Sequence, residues 1–198
     1  MKAYIITFFA YLFTYSAVEW LFKNTALSLA LELAVVGSLL IYFRKSYPIK
    51  AKFDWLAIVS GALVFVLWVV IDLIPYPRIE STPYIPGNPL ELILRLISMV
   101  LLAPIVEEFF TRFFLIRFAV SERWQKVKLG TFTWGSFIFT VLFFGFAHDM
   151  WLAGLTAGII FNLLYYYRKN IESCVIAHMS SNIFLAVYIL STKTWYFW

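Results

Sequence analysis

Seven apolar runs, most of them long enough to span a bilayer, constrain this chain more than any other feature. A hydrocarbon core of roughly 30 Å takes about 20 helical residues to cross. The runs cover residues 3–22, 25–43, 55–74, 91–118, 131–148, 151–167 and 173–191. Backbone N–H and C=O groups in lipid must find partners within the protein, which leaves helices or closed barrels. A barrel needs strands that alternate apolar and polar residues, and no such alternation appears. The sequence therefore predicts an all-α, polytopic membrane bundle of about seven transmembrane helices, with six to eight as the range. Composition agrees: the chain is 63% hydrophobic and 14% charged, whereas a soluble domain is about half apolar and about a quarter charged. A single transmembrane domain over 1–198 follows. In it, 1–90 supplies N-terminal helices and a Pro-rich outer loop, and 91–191 supplies the helical core.

The connections carry the charge. Lys2, Arg44, Lys45, Lys50, Lys52, Arg117, Arg123, Lys126, Lys128, Arg168 and Lys169 fall on one side, eleven of the sixteen basic residues. Lys23, Arg78 and Lys193 fall on the other. Cytoplasmic loops collect Lys and Arg, so the expectation is an integral membrane protein with a cytoplasmic N-terminus. The net charge of +5 belongs to loops at lipid headgroups, which argues against nucleic acid as a partner. The apolar run after Lys2 reads as a first spanning helix rather than a cleaved leader. Five prolines keep 75–90 from forming a regular helix; it is expected to link, cap or gate the bundle. Tryptophans 55, 124, 134, 151, 195 and 198 fit interfacial belts. Gly154 and Gly158 should let the sixth helix approach a neighbour closely. The single cysteine, Cys174, excludes an internal disulfide framework.

An ionisable side chain inside a membrane is costly and needs a reason. The fourth run holds Glu107, Glu108 and Arg112. Glu108 and Arg112 are four apart and can pair on one helix face. Glu107 is rotated about 100° away and is free to point into the bundle. Pro104 removes a backbone donor just ahead of both acids. The fifth run ends at His148, and the seventh holds His178 and Asn182, again four apart. These polar groups on three helices form one candidate site. A carboxylate and an imidazole can take a proton from water, and a second imidazole with an amide can donate to a developing oxyanion. The carboxylate is expected to have a raised pKa in this setting. Zinc held by Glu107, His148, His178 and Asn182 is the alternative. Ser180 and Ser181 are expected on faces other than that of His178. By helix rise, Glu107 lies about 15–20 Å, His178 about 10–15 Å and His148 about 25 Å from the cytoplasmic boundary. Their meeting requires tilt, a later start to the fifth helix, or a broken turn.

Glu107-Glu108-x-x-x-Arg112, Phe144-x-x-x-His148 and His178-x-x-x-Asn182, in this order, resemble the three-motif signature of the CAAX protease and bacteriocin-processing (CPBP) family of intramembrane endopeptidases. The stretch from Trp151 to Gly158 and the end Trp195-Tyr-Phe-Trp198 resemble its bacterial CAAX prenyl protease-related subfamily, which accompanies exosortase and exopolysaccharide systems. The resemblance implies peptide-bond hydrolysis in the membrane plane. Glu107 and His148 would activate water, His178 and Asn182 would stabilise the oxyanion, and Glu108 and Arg112 would support the site. It favours a glutamate-type mechanism without a metal cofactor; the implied partners are membrane lipid and a membrane-anchored peptide or protein. Two readings compete, a non-catalytic membrane binding or chaperone-like protein and a proton-coupled transporter, the latter without signs of inverted halves.

Overall fold

A computed structural model describes residues 1–50, 53–78 and 83–197. Seven long helices form the fold: α1 Lys2–Phe22, α2 Thr25–Tyr42, α3 Trp55–Asp72, α4 Pro89–Val120, α5 Trp134–Phe146, α6 Trp151–Arg168 and α7 Glu172–Thr192. No strand occurs among the described residues. Five of the helices, α1, α2, α3, α4 and α7, are long and apolar enough to cross a membrane. Thr133 caps α5 by accepting from Ser136 N, so the helix starts three residues later than its apolar run and has only 13 residues. Asn24, Asp54 and Asn88 cap α2, α3 and α4 in the same way, each satisfying an N–H that has no partner within its helix. Pro89 follows as the first residue of α4, where its missing N–H costs nothing. Of the loop expected at 75–90, residues 79–82 lie outside the described set; Pro77 O accepts from the Trp151 indole at 2.7 Å.

Contacts between helices fix which ends lie together. Helices α3 and α7 run parallel: Asp54 bonds Ser173 at one end, Gly61 meets Ala177 in the middle, and Asp72 bonds Tyr196 at the other. A Cβ on Gly61 would lie 2.3 Å from Ala177 O, so only glycine permits this approach. Helices α5 and α6 are antiparallel, with Gly154 against the Gly145 backbone and Gly158 against Val141, the close packing expected of that pair. Helix α1 stacks on α4 through rings: Phe8 on Phe110 at 3.9 Å, and Tyr4 against Phe109, Phe113 and Phe114. Trp124, expected at the membrane interface, is instead buried in this cluster, edge-on to Tyr4 and Phe114. It holds the chain after α4 against the bundle.

The bundle thus has two ends. One gathers the described residues of the connections 43–54, 121–133 and 169–171. The other gathers 23–24, 73–88, 147–150 and the residues after α7.

Candidate active site

Helix α4 is not uniform. Ser98–Leu102 and Phe109–Leu115 are π-helical and flank the segment Ala103–Glu108. Such wide turns inside α-helices are common at functional sites. In the first, Ala103 N donates to Ser98 O, five residues back. The next donor in that register would be residue 104, and Pro104 has no N–H. The carbonyl orphaned is therefore that of Met99, not that of Val100 as a regular helix would give. Asn182 Nδ2 of α7 donates to Met99 O at 2.8 Å. The wide turn also offsets the drift of about 40° that four residues accumulate in an α-helix. Arg95, Met99, Ala103 and Glu107 consequently line one cavity from one face.

That cavity measures about 300 Å³ and takes in Glu107, His148, His178 and Asn182. The four residues singled out as chemical thus share one wall-enclosed space. Glu107 is half-buried there; among the described residues its carboxylate has no hydrogen bond or ion pair, while its backbone oxygen accepts from Thr111. His148 sits in the turn after α5, not on a helix. This shorter helix and broken turn account for how a residue so deep in the run reaches the others. Phe144 O holds His148 Nδ1 at 2.7 Å, and the Trp68 indole stands edge-on to the imidazole at 5.5 Å. A carbonyl accepts only, so Nδ1 carries the proton and Nε2 remains without a protein partner. Asp149 is exposed and takes no part in orienting His148.

Behind the cavity lies a buried ion cluster. Glu108 and Arg112 are both 0% exposed and pair at 3.0 Å. The same Glu108 Oε1 meets His178 Nδ1 at 2.9 Å. Arg112 Nε donates to Asn162 Oδ1 at 3.2 Å, and Asn162 Nδ2 donates to Thr140 at 2.9 Å. The guanidinium lies 4.1 Å from the Phe144 ring centroid, a cation–π contact that is strong where water is excluded. Phe144 also packs against both imidazoles. Arg112 donates to the oxygen that meets His178, so that oxygen accepts and His178 Nδ1 is the donor. The His178 ring is thus fixed by a carboxylate, as the His148 ring is by a carbonyl.

Some participants escaped the sequence reading. Asn162 is a buried amide in the middle of an apolar helix, a signal of the same kind as Asn182 but without an ionisable side chain four residues before it. Trp68 lines the cavity with its indole N–H unpartnered. Ser181, expected on another face, lines the cavity as well and donates to Asn182 Oδ1 at 3.3 Å; three residues from His178 is only about 60° around the helix. Glu32 accepts from Ser98 at 2.7 Å, and Arg95 lines the cavity. As for a metal, among the described residues no three His, Cys, Asp or Glu side chains converge as ligands, so Glu107, His148 and His178 do not form such a set.

Comparison with known families agrees with this geometry. Residues 89–184 match the family model described as type II CAAX prenyl endopeptidase Rce1-like. No curated protein and no solved structure matches the chain. The matched stretch runs from the start of α4 into α7 and includes all four cavity residues and the ion cluster behind them. Residues 89–184, a little under half of the chain, are thus similar to the Rce1-like type II CAAX prenyl endopeptidases, a protease family.

Proposed function

We propose that the protein is an intramembrane endopeptidase that cleaves a membrane-associated peptide with a water activated by Glu107 and His148. The observation that carries this is Glu107 itself. A carboxylate within an apolar helix, lacking any partner and facing a cavity shared with two oriented imidazoles, has no structural task to explain it. Structural duty falls to its neighbour Glu108.

In the reaction, Glu107 takes a proton from water while His148 Nε2, the partnerless nitrogen, accepts a hydrogen bond from it. The oxygen attacks the scissile carbonyl carbon, and the electron pair moves to the carbonyl oxygen. Asn182 spends one N–H on Met99 and keeps its second for that oxyanion. His178 Nδ1 is committed to Glu108, so its Nε2 donates to that oxyanion only when both ring nitrogens carry a proton. Glu107 then returns its proton to the departing amine and the C–N bond breaks. A cavity of about 300 Å³ holds a few residues of extended chain rather than a folded domain. The family match supports a protease acting at the membrane; the water-activating residues are our assignment.

Glu107→Gln tests it, because the amide keeps the shape and removes the base. Cleavage of a membrane-anchored reporter should fall by a factor on the order of 10²–10⁴ with unfolding in detergent unchanged. A variant that keeps turnover overturns the base assignment. A variant that unfolds more easily points to the binding or chaperone-like reading. Cleavage that persists in chelator, alongside absence of stoichiometric zinc by elemental analysis, is the outcome expected of a carboxylate-activated water.

A further inference from the structure

The cavity belongs to one end of the bundle. Its wall runs inward to Phe161 of α6 and His178 of α7, and outward along the second half of α3 (Val64, Trp68), α4 from Arg95 to Glu107, the turn after α5 (His148, Asp149) and the residues after α7 (Tyr196). Among the described residues, none of the connections 43–54, 121–133 or 169–171 lines it. Asp149 and Tyr196 at its rim are exposed, and Tyr196 is tied there to Asp72, which also pairs with Arg78.

The opposite end carries the cations. Arg44, Lys45 and Lys50 lie in 43–50; Arg123, Lys126 and Lys128 in 121–133; Lys169 in 169–171. The connections at the cavity end, 23–24, 73–88 and 147–150, hold only Lys23 and Arg78. Short loops rich in Lys and Arg stay in the cytoplasm, and this bias sets orientation. Every one of these loops is far shorter than the roughly 60 residues up to which the rule applies.

Together these two independent asymmetries lead us to propose that the catalytic cavity opens away from the cytoplasm, and that its substrates are membrane-anchored peptides presented on the extracytoplasmic face. The proposal rests on the endopeptidase reading for the word substrate, but the direction of opening does not. It also gives the rim a purpose: Asp149 and Tyr196, with Asp72 and Arg78 beside them, supply the cavity with a polar mouth.

Cysteine accessibility decides it. The one native cysteine, Cys174, is fully buried, so single-cysteine reporters on a Cys174→Ala background are easily read. Asp149→Cys and Lys193→Cys mark the cavity end; Lys126→Cys and Gln125→Cys mark the basic end, and all four native residues are exposed. Full-length protein in cells is treated with a membrane-impermeant maleimide, with and without permeabilisation. Labelling of the first pair in intact cells, and of the second pair only after permeabilisation, is the expected result. The reverse pattern, labelling of both pairs from one side, or failure of Asp149→Cys to label under either condition overturns the proposal. Reporter cleavage by each variant is followed in parallel. Reversed labelling with cleavage that depends on Glu107 refutes the sidedness alone; expected labelling with cleavage that survives Glu107→Gln refutes the mechanism alone.

Discussion

Arg112 is fully buried and has five N–H donors to place. Glu108, Thr111 and Asn162 take three hydrogen bonds, and the faces of Phe144 and Phe161 cover the cation. Even so, Arg112 Nη2 and Glu108 Oε2 find no partner. A buried ion pair rarely adds net stability over an apolar pair of the same shape, and one left partly unsatisfied adds less. The cluster is better understood by what it positions: Glu108 fixes the ring of His178, and Arg112 fixes Glu108. Arg112→Ala leaves Glu108 buried and uncompensated, a loss on the order of 3–5 kcal/mol. Arg112→Lys keeps the charge but cannot fork between Glu108 and Asn162. We expect it to unfold at a temperature between parent and Ala variant while activity drops to the Ala level, since geometry and not charge alone holds His178. Thermal unfolding in detergent alongside reporter cleavage checks this. A Lys variant with parental activity would show that the fork is dispensable.

Asn182 connects residue chemistry to helix shape. It covers the Met99 carbonyl that Pro104 and the π register leave open, and the same amide is assigned to the oxyanion. The two duties separate in a double-mutant cycle. Asn182→Ala strands a buried carbonyl and should cost about 1–3 kcal/mol. Pro104→Ala restores an N–H at the position whose π-register acceptor is Met99, so the double variant should recover much of that stability. Activity should not return with it, because no second amide N–H faces the cavity. Recovery of both stability and cleavage would make Asn182 a purely structural residue. The wide turns that create this arrangement were not legible in the sequence. Pro104 announces a break in hydrogen bonding, but whether a helix kinks or widens there depends on what crosses from α7. The three motifs and the i, i+4 pairs were legible, because charges in apolar helices stand out whatever the local geometry. The early end of α5 was not, since Ala147 and His148 prolong the apolar run that marks it. Trp124 shows the same limit: an aromatic near a helix end suits an interface or a core, and only Tyr4, Phe113 and Phe114 decide which.

At the scale of the whole molecule, Asp54 ties three helices together. It caps α3, accepts from Ser173 of α7 at 2.6 Å and pairs with Arg168 of α6 at 2.7 Å. This end of the bundle is where α3 and α7 begin side by side, so the tie sets the register that carries through Gly61 to His178. Burial disfavours the Asp54 charge, but the hydrogen bonds from Ser173, Arg168 and Ala57 N–H together with the Arg168 charge outweigh it and hold its pKa below the usual carboxylate value. A depressed native pKa means the charged form contributes stability above the unfolded-state value of about 3.9. That contribution fades as pH falls through the native value. Asp54→Asn keeps a good cap and removes only the charge-dependent share. Arg168 is partly solvated, with 31% of its side chain exposed, so the share is on the order of 1 kcal/mol. The variant should therefore melt below the parent at pH 7, with the gap closing as the pH is lowered past about 4. Melting curves of both proteins across that range check it. A gap that stays constant would mean the tie acts through shape, with the Arg168 pair contributing nothing measurable.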